Sequence, residues 1–415
     1  MAKIESDRKP SVFIPTLYFV EGLPYTIVNL MSVVYFKSLG AGNDFIGLTS
    51  LLYLPWTIKL FWAPLVDVIA TRRRWILVSQ MVLAALCAAA AAGALMPQAL
   101  ALSVAVFAVM AVASATQDIA IDGYYLDVLD KGQQALYVGV RNAAYKVAWL
   151  FGSGALVYLA GKLGESCGVA GGWCAAFVAC AVIMAAFCVF HSVSLPDLPR
   201  TEPPAGTGGI DLKLFVEVFR SYLDQQRIAV VLVYILIFRL GDALMLKMAQ
   251  PFLLDPVEKG GLGMSIADVG LVYGTVGTIF LLAGGILGGW LICRDGLRRW
   301  LLPTAVIQNS AILLYWLLAV CKPGIAWVAV VNSVEQFSYG LGVAAYTVFL
   351  LSTVKAEFKA AHYAIATAVM ALGAMAPGAV SGYLQGALGY QMFFLVSFLV
   401  AVPGFVTVFF LPIRE

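Results

Sequence analysis

The chain has 415 residues, of which 62% are hydrophobic and only 12% are charged, and its mean hydropathy is +0.91. This composition excludes a soluble globular protein and is typical of a protein with many membrane spans. The formal net charge of +3 says little by itself, because in a membrane protein the position of each Lys and Arg carries the information.

The candidate membrane spans are apolar runs of about 20 residues, the length that crosses a bilayer. Twelve are predicted, over residues 11–36, 45–68, 75–95, 99–125, 134–160, 172–194, 227–253, 265–292, 300–320, 324–351, 360–387 and 390–412. Of the Lys and Arg residues outside them, 17 lie on the same side as the N-terminus and 4 on the other. The positive-inside rule therefore predicts that both termini are cytoplasmic.

A polar stretch from Leu195 to Gln226 separates the first six spans from the last six. It opens with several prolines and ends in a segment with charged and apolar residues at helical spacing. We predict an N-terminal six-helix bundle over 1–195, a cytoplasmic linker with an amphipathic helix over 196–226, and a C-terminal six-helix bundle over 227–415. That helix lies either on the lipid headgroups or in the cytosol as an ordinary linker helix.

The two halves carry similar strings. Residues Trp62 to Trp75 are echoed by Gly289 to Trp300, and Ser114-Ala-Thr-Gln117 by Ser333-Val-Glu-Gln336. Two halves with a basic loop after the second span of each resemble the parallel-repeat architecture of the major facilitator superfamily. We therefore predict an all-α polytopic membrane protein with the major facilitator fold, twelve transmembrane helices in two six-helix halves, and a substrate cavity between the halves.

Three carboxylates inside the predicted spans, two near the end of span four and one in span one, are candidates for proton coupling. Asp118 and Asp122 are four residues apart and share a helix face, where two like charges in a low dielectric require either a bound proton or cationic partners. Glu21 precedes a Gly-Leu-Pro sequence that we expect to break span one beside the cavity. We predict that Asp118, Asp122 and Glu21 couple transport to protons. The alternative is that Gln117 and the aspartates only tie helices together through hydrogen bonds.

Other polar residues inside the spans are suited to bind an organic anion. Arg141 can capture a carboxylate or phosphate with two hydrogen bonds, and Tyr145, four residues on, can stack or hydrogen-bond. Arg239 and Asp242 can pair with each other or divide between substrate and proton. The predicted substrate-binding residues are Arg141, Tyr145, Lys59, Lys146, Gln117, Arg239, Asp242, Glu335 and Gln336.

A second charge cluster is predicted at the cytoplasmic ends of spans two and four. The acids Asp67 and Asp127 lie there within reach of the arginine triplet Arg72, Arg73 and Arg74. We expect a cytoplasmic latch between these spans and the second half. The alternative is that the triplet only fixes the topology.

Specific strings in the first half resemble a known group. The strings Lys59 to Asp67, followed by Arg72 to Trp75, and Ala115 to Gly123, together with Glu21-Gly-Leu-Pro24, are similar to those of the AmpG-type muropeptide permeases and the related acetyl-coenzyme A transporters. The second half shows only the general superfamily pattern. The resemblance implies an inner-membrane permease that imports anhydro-muropeptides and is driven by protons.

The predicted function is secondary active transport by alternating access, as proton-coupled symport of an anionic organic solute such as an anhydro-muropeptide across the bacterial inner membrane. The alternatives are transport of a coenzyme A ester, a nucleotide conjugate or a siderophore. An integral-membrane enzyme is a weaker alternative, because no nucleophile and base pair, metal-ligand spacing or phosphate loop stands out. We expect no cofactor, no metal and no nucleic-acid partner, and a monomer whose partners are the solute, protons and the bilayer.

Overall fold

The structure, a computed structural model, describes residues 10–197, 212–355 and 359–412, and over these ranges it is helical with no strand. The α-helices in chain order are α1 Pro10–Thr26, α2 Ser32–Ser38, α3 Asn43–Leu48, α4 Leu54–Ile58, α5 Ala63–Ile69, α6 Arg72–Ala94, α7 Ala99–Val128, α8 Lys131–Leu150, α9 Val157–Ser194, α10 Leu212–Leu223, α11 Ile228–Phe238, α12 Leu240–Leu254, α13 Ile266–Val269, α14 Thr278–Asp295, α15 Leu297–Ser310, α16 Ile312–Cys321, α17 Ile325–Ser352 and α18 Lys359–Val408. Ile27–Met31, Phe151–Leu156 and Gly270–Gly277 are π-helical.

Eight segments of the described chain are long and apolar enough to cross a membrane, so the protein is a multi-pass membrane protein. They are Pro10–Ser38, Arg72–Ala94, Ala99–Val128, Lys131–Ser194, Ile228–Leu254, Ile266–Asp295, Leu297–Cys321 and His362–Val408. The predicted count of twelve spans stays a prediction.

Two of these segments are far longer than one span and bend at a glycine. Gly168 in α9 has φ of 79° and Gly389 in α18 has φ of 71°, a left-handed conformation that glycine adopts without steric cost. Each run therefore consists of two helices joined at one residue. The sequence predicts the end of one span at 160 and the start of the next at 172, and the structure joins the two helices between these positions at Gly168.

The predicted span over 45–68 is not one continuous helix. The chain there forms α3, α4 and α5 with 3₁₀ turns at Thr49–Tyr53 and Lys59–Phe61. Prolines occupy the first turns of α4 and α5, where the missing N–H is not needed, so each favours the start of a new helix.

The break predicted at Glu21 to Pro24 is absent, since α1 is continuous from Pro10 to Thr26 and the irregular π-helical turn comes after it. Pro24 has no N–H to bond the carbonyl of Val20, four residues earlier. The amide Nε2 of Gln117 donates to that carbonyl at 2.9 Å. A neighbouring helix thus satisfies the freed acceptor, which allows α1 to continue through its proline.

The chain divides into two compact units. The first lies within Met1–Leu39 and Leu52–Gly208, and the second within Gly40–Leu51 and Gly209–Glu415. Much of the predicted linker, residues 198–211, lies outside the described part of the chain, which resumes with α10.

The core of the first unit is aromatic. Tyr35, Phe107, Trp173 and Phe177 have no exposed surface, and their ring centroids lie 5.1 to 6.1 Å apart. Helix α1 packs closely on α8 at Gly22, where an added Cβ would lie 3.0 Å from the carbonyl oxygen of Tyr145. This close approach brings the polar residues of α1 and α8 together.

The second unit contains its own buried aromatic cluster, in which the rings of Phe238 and Tyr346 stack at 4.7 Å. Helix α3 also belongs to this unit and lies against α18. The amide of Asn43 donates to the side chains of Asp255, Gln385 and Tyr390 at 2.8 to 3.0 Å.

Candidate functional site

The first unit contains two ion pairs close to each other. Lys59 pairs with Asp118, and Arg141 Nη1 lies 3.5 Å from Asp122 Oδ1. Tyr18 joins the second pair, because its hydroxyl donates to Asp122 at 3.0 Å and accepts from Arg141 at 3.1 Å. Of the two outcomes that the sequence leaves open for the aspartates, a bound proton or cationic partners, the structure gives both aspartates cations.

These four side chains are only partly buried. Lys59 and Asp118 are 32% and 13% exposed, and Arg141 and Asp122 are 31% and 43% exposed. A charge inside a membrane protein faces a water-filled space or a partner because lipid contact is costly. Because each of the four charges has an opposite partner, the cost of placing them within membrane spans is reduced.

Glu21 lies on α1 beside these pairs but has no such partner. It is 7% exposed, and its Oε2 accepts no hydrogen bond from any described residue. Asp122, Lys59 and Arg141 are its charged neighbours, yet none forms an ion pair with it in the described structure. Its Oε2 is thus a buried acceptor that no described donor satisfies.

Gln117 is fully buried and donates to the Val20 carbonyl, as described above. For Gln117, this is the interhelical tie that the sequence leaves open as the alternative to a proton or substrate site. Gln117 precedes Asp118 on α7, so its bond to the Val20 carbonyl ties α7 to α1 beside the aspartates.

Tyr145 and Lys146 lie among half-buried rings, which we call the aromatic cluster: Tyr25, Tyr53, Trp56, Tyr145 and Trp149. Tyr25 is at its centre, with its ring centroid 5.2 to 6.1 Å from the other four. The ammonium of Lys146 lies 3.9 Å from the Trp149 ring centroid. The sequence predicts Tyr145 and Lys146 as site residues but misses Tyr18, Tyr25, Tyr53 and Trp56.

In the second unit the predicted residues form two adjoining groups. Arg239 Nε lies 3.2 Å from Asp242 Oδ2, and Gln308 donates to the same oxygen at 3.2 Å. Glu335 is 1% exposed and accepts a hydrogen bond from the amide of Gln336 at 2.8 Å. Of the two arrangements that the sequence allows for Arg239 and Asp242, the structure has the direct pair.

One arginine of the triplet contacts a predicted latch acid. Arg72 Nη1 lies 2.7 Å from Asp127 Oδ2 and donates to the carbonyl of Gly123 at 2.7 Å. A side chain at Gly123 would collide with this guanidinium, since an added Cβ would lie 2.6 Å from Arg72 Nε. The prediction for Asp67 concerns a side chain outside the described part of the structure.

The other two arginines have different contacts. Arg73 donates to the carbonyls of Ser192 and Leu195, at the C-terminal end of α9, where a cation complements the helix dipole. The backbone N–H of Arg74 donates to the Thr71 hydroxyl, which caps α6. Among the described contacts, Arg73 bonds to the C-terminal end of α9 and does not pair with Asp127.

Comparison with known proteins identifies the family. Residues 16–246, more than half of the chain, match the family model of the Major Facilitator Superfamily. The Anhydromuropeptide permease of Escherichia coli (strain K12) is 27% identical over 402 residues, covering 95% of this chain and 78% of that protein. The Putative transporter AmpG 3 of Rickettsia prowazekii (strain Madrid E) is 23% identical over 414 residues, covering 95% of this chain and 94% of that protein.

Solved structures share the fold at low identity. A bacterial homolog of the human lysosomal transporter Spinster gives a TM-score of 0.72 at 15% identity and covers 96% of this chain and 95% of that chain. A D-xylose-proton symporter gives 0.72 at 12% identity and covers 96% and 97%. The predicted all-α fold is confirmed, and the names of the relatives identify a membrane transporter rather than an enzyme. By the family match and the shared fold, the chain belongs to the Major Facilitator Superfamily.

Proposed function

We propose that the protein is a monomeric proton-coupled symporter that imports an anionic organic solute, such as an anhydro-muropeptide, across the bacterial inner membrane by alternating access. The name of the Escherichia coli relative supports the substrate class. The observation that carries the proposal is the pair of partly exposed ion pairs, Lys59 with Asp118 and Arg141 with Asp122, beside the buried Glu21.

The solute anion binds by displacing the Asp122 carboxylate from Arg141. The Arg141 to Asp122 distance of 3.5 Å is long for an ion pair, and a guanidinium has five N–H donors arranged to hold a carboxylate or phosphate with two bonds. An incoming carboxylate takes the place of Asp122 on the guanidinium. Lys59, held by Asp118, offers a second cation to a solute with two acidic groups.

Proton uptake follows from the charge that this exchange leaves behind. Once Asp122 loses Arg141, it is an uncompensated carboxylate in a low dielectric, where a bound proton stabilises it. Glu21, its buried neighbour with no ion-pair partner among the described residues, can pass a proton to Asp122 and be reloaded from the solvent. Solute anion and proton then move together, and the loaded site carries no additional charge.

The predicted site residues of the second unit form a group of their own. Arg239, Asp242, Glu335 and Gln336 form a buried group whose hydrogen bonds are partly internal. Oε1 of Gln308 and Oδ1 of Asp242 are buried and accept no hydrogen bond from a described residue.

Uptake into proteoliposomes tests the proposal. We expect the purified protein to concentrate labelled anhydro-muropeptide in the lumen when the outside is more acidic, and only to equilibrate it without the gradient. Arg141→Ala should weaken binding itself, while Glu165→Gln, which removes an exposed partner of Lys162, serves as the matched control. Preferential uptake of a coenzyme A ester, nucleotide conjugate or siderophore would mean that this compound, and not a muropeptide, is the substrate. Chemical conversion of the solute by the protein would contradict transport.

A further inference from the structure

The hydroxyl of Tyr18 links Arg141 to Asp122. It donates to Asp122 Oδ1 at 3.0 Å and accepts from Arg141 Nη1 at 3.1 Å. The two charged atoms themselves lie 3.5 Å apart, and among the described contacts no direct hydrogen bond joins them. The ion pair is therefore bridged by a third polar group.

The ring of Tyr18 is held firmly in this position. Tyr18 is only 2% exposed, and its ring packs edge-on against the ring of Tyr125, with 5.8 Å between the centroids. The guanidinium of Arg141 lies over both rings, 4.9 Å from the Tyr18 centroid and 5.2 Å from the Tyr125 centroid. Because an aromatic face attracts a cation, the two rings hold Arg141 in place without help from Asp122. The Tyr18 hydroxyl can then change its acceptor by turning about its own C–O bond.

A phenol has a single hydrogen to donate, and this limits what the site can hold. In the empty site the Asp122 carboxylate accepts that hydrogen. A solute carboxylate that replaces Asp122 on Arg141 lies where the same hydroxyl can donate to it. Tyr18 cannot donate to both carboxylates. If Asp122 stayed ionised, one carboxylate would therefore face the oxygen lone pairs of the phenol.

We propose that the Tyr18 hydroxyl couples the binding of the solute anion to the binding of a proton. The inference rests on the proposed function and adds to it the residue that links the two ligands. When the solute carboxylate accepts the Tyr18 hydrogen, Asp122 takes up a proton that comes from the solvent through Glu21, and its new O–H donates to the Tyr18 oxygen. A continuous chain of hydrogen bonds then runs from Asp122 through Tyr18 to the solute. When the solute leaves, Asp122 gives up the proton and again accepts from Tyr18.

The other charged and titratable groups around Tyr18 do not form this bridge. They are Asp122 and Tyr125 on α7, Arg141 on α8, Glu21 on α1 and His191 on α9, with Lys59 beside Glu21. The hydroxyl of Tyr125 donates to the backbone carbonyl of Gln134, and the ring nitrogens of His191 bond Thr16 and Gln80. Lys59 pairs with Asp118. Among the described residues, Tyr18 is therefore the one whose hydroxyl contacts both Arg141 and Asp122.

Calorimetric titration of the purified full chain with anhydro-N-acetylmuramyl tripeptide over a range of pH tests the coupling. The wild-type affinity should fall as the pH rises, because the anion binds together with a proton. Tyr18→Phe keeps a ring beside Arg141 but has no hydroxyl, so we expect the fall in affinity across the range to be about tenfold smaller. A residue that only packs would change the affinity by the same factor at every pH. Tyr158→Phe, at a tyrosine of the same unit that is 41% exposed, is the control that should behave as wild type.

Repeating the titrations in buffers of different ionisation enthalpy measures the protons taken up with each bound solute. We expect the wild type and Tyr158→Phe to take up a proton with the tripeptide, and Tyr18→Phe to take up clearly less. This readout depends on the coupling and not on the strength of binding.

Failure of this inference can be distinguished from failure of the proposed function. If the wild type binds the tripeptide with no proton uptake and no dependence on pH, proton coupling fails and the inference fails with it. If the wild type takes up the proton and Tyr18→Phe shows the same pH dependence and the same uptake, the inference is overturned and the proposed function stands. Size-exclusion profiles and thermal unfolding identify a variant that has not folded. In that case infrared difference spectra of the wild type decide: binding should create a hydrogen-bonded carboxylic-acid band that Asp122→Asn lacks, and absence of this band overturns the inference.

Discussion

Removal of the Asp122 carboxylate should have opposite effects on binding and on coupling. Asp122→Asn preserves the shape of the side chain but takes away the anion that competes with the solute for Arg141. The solute should therefore bind more tightly. Because the asparagine amide cannot take up the proton that the displaced carboxylate would, accumulation driven by a pH gradient should be lost.

The size of the gain in affinity follows from the geometry of the pair. Arg141 and Asp122 are 3.5 Å apart and 31% and 43% exposed, so solvent screens their attraction. Partly exposed ion pairs of this kind contribute about 0.2–1 kcal/mol. Removal of the Asp122 carboxylate, which competes with the solute for Arg141, should therefore tighten binding of the anion roughly 1.5- to 5-fold.

Three assays on one preparation of the Asp122→Asn protein test these expected effects on binding and coupling. Calorimetry gives the affinity for the solute, exchange between equal internal and external pools gives transport without coupling, and uptake under an acid-outside gradient gives coupling. We expect tighter binding, retained exchange and no accumulation for Asp122→Asn, with Glu165→Gln behaving as wild type. Weaker binding together with normal accumulation would refute both the exchange of carboxylates and the role of Asp122 in proton uptake.

The remaining predictions concern coupling, helix packing and topology. Asp118→Asn should also abolish accumulation and spare exchange, because an amide cannot take up a proton when a solute anion replaces Asp118 on Lys59; pH-dependent accumulation at the wild-type level would argue against this. Gln117→Leu should lower the free energy of unfolding by about 1–3 kcal/mol, because it leaves the Val20 carbonyl unsatisfied, and a loss of solute affinity at unchanged stability would instead place Gln117 in the binding site. Cys293 should react with an impermeant thiol reagent only from the cytoplasmic side and Cys321 only from outside, and labelling of Cys293 in intact cells would reverse the orientation.

The fold class could be predicted from the sequence because hydropathy determines which segments insert into a membrane. What the sequence did not determine was the regularity of those segments. The helix through Pro24 depends on a donor from α7, almost 100 residues away, and the bend in place of a loop depends on one glycine conformation at Gly168. Both are tertiary effects that composition over a window of residues does not contain.

The charged residues of the candidate site could be predicted from the sequence, but their ion-pair partners could not. Asp118 and Asp122 stand out because acids are rare in apolar runs, yet only the packing of distant segments pairs them with Lys59 and Arg141. The aromatic cluster was missed because Tyr25, Tyr53 and Trp56 look like ordinary apolar residues within a span. A signal was present in the helical spacing of Tyr25 from Glu21, which puts a ring on the same face as a carboxyl.

Proton movement that accompanies the solute is the most direct test of symport. The purified protein is placed in liposomes that contain a pH-sensitive dye, with equal pH on both sides, and anhydro-muropeptide is added outside. We expect the lumen to acidify as the solute enters, and we expect Asp122→Asn liposomes to exchange the solute with no change in dye signal. Solute entry into wild-type liposomes without any acidification would contradict proton coupling.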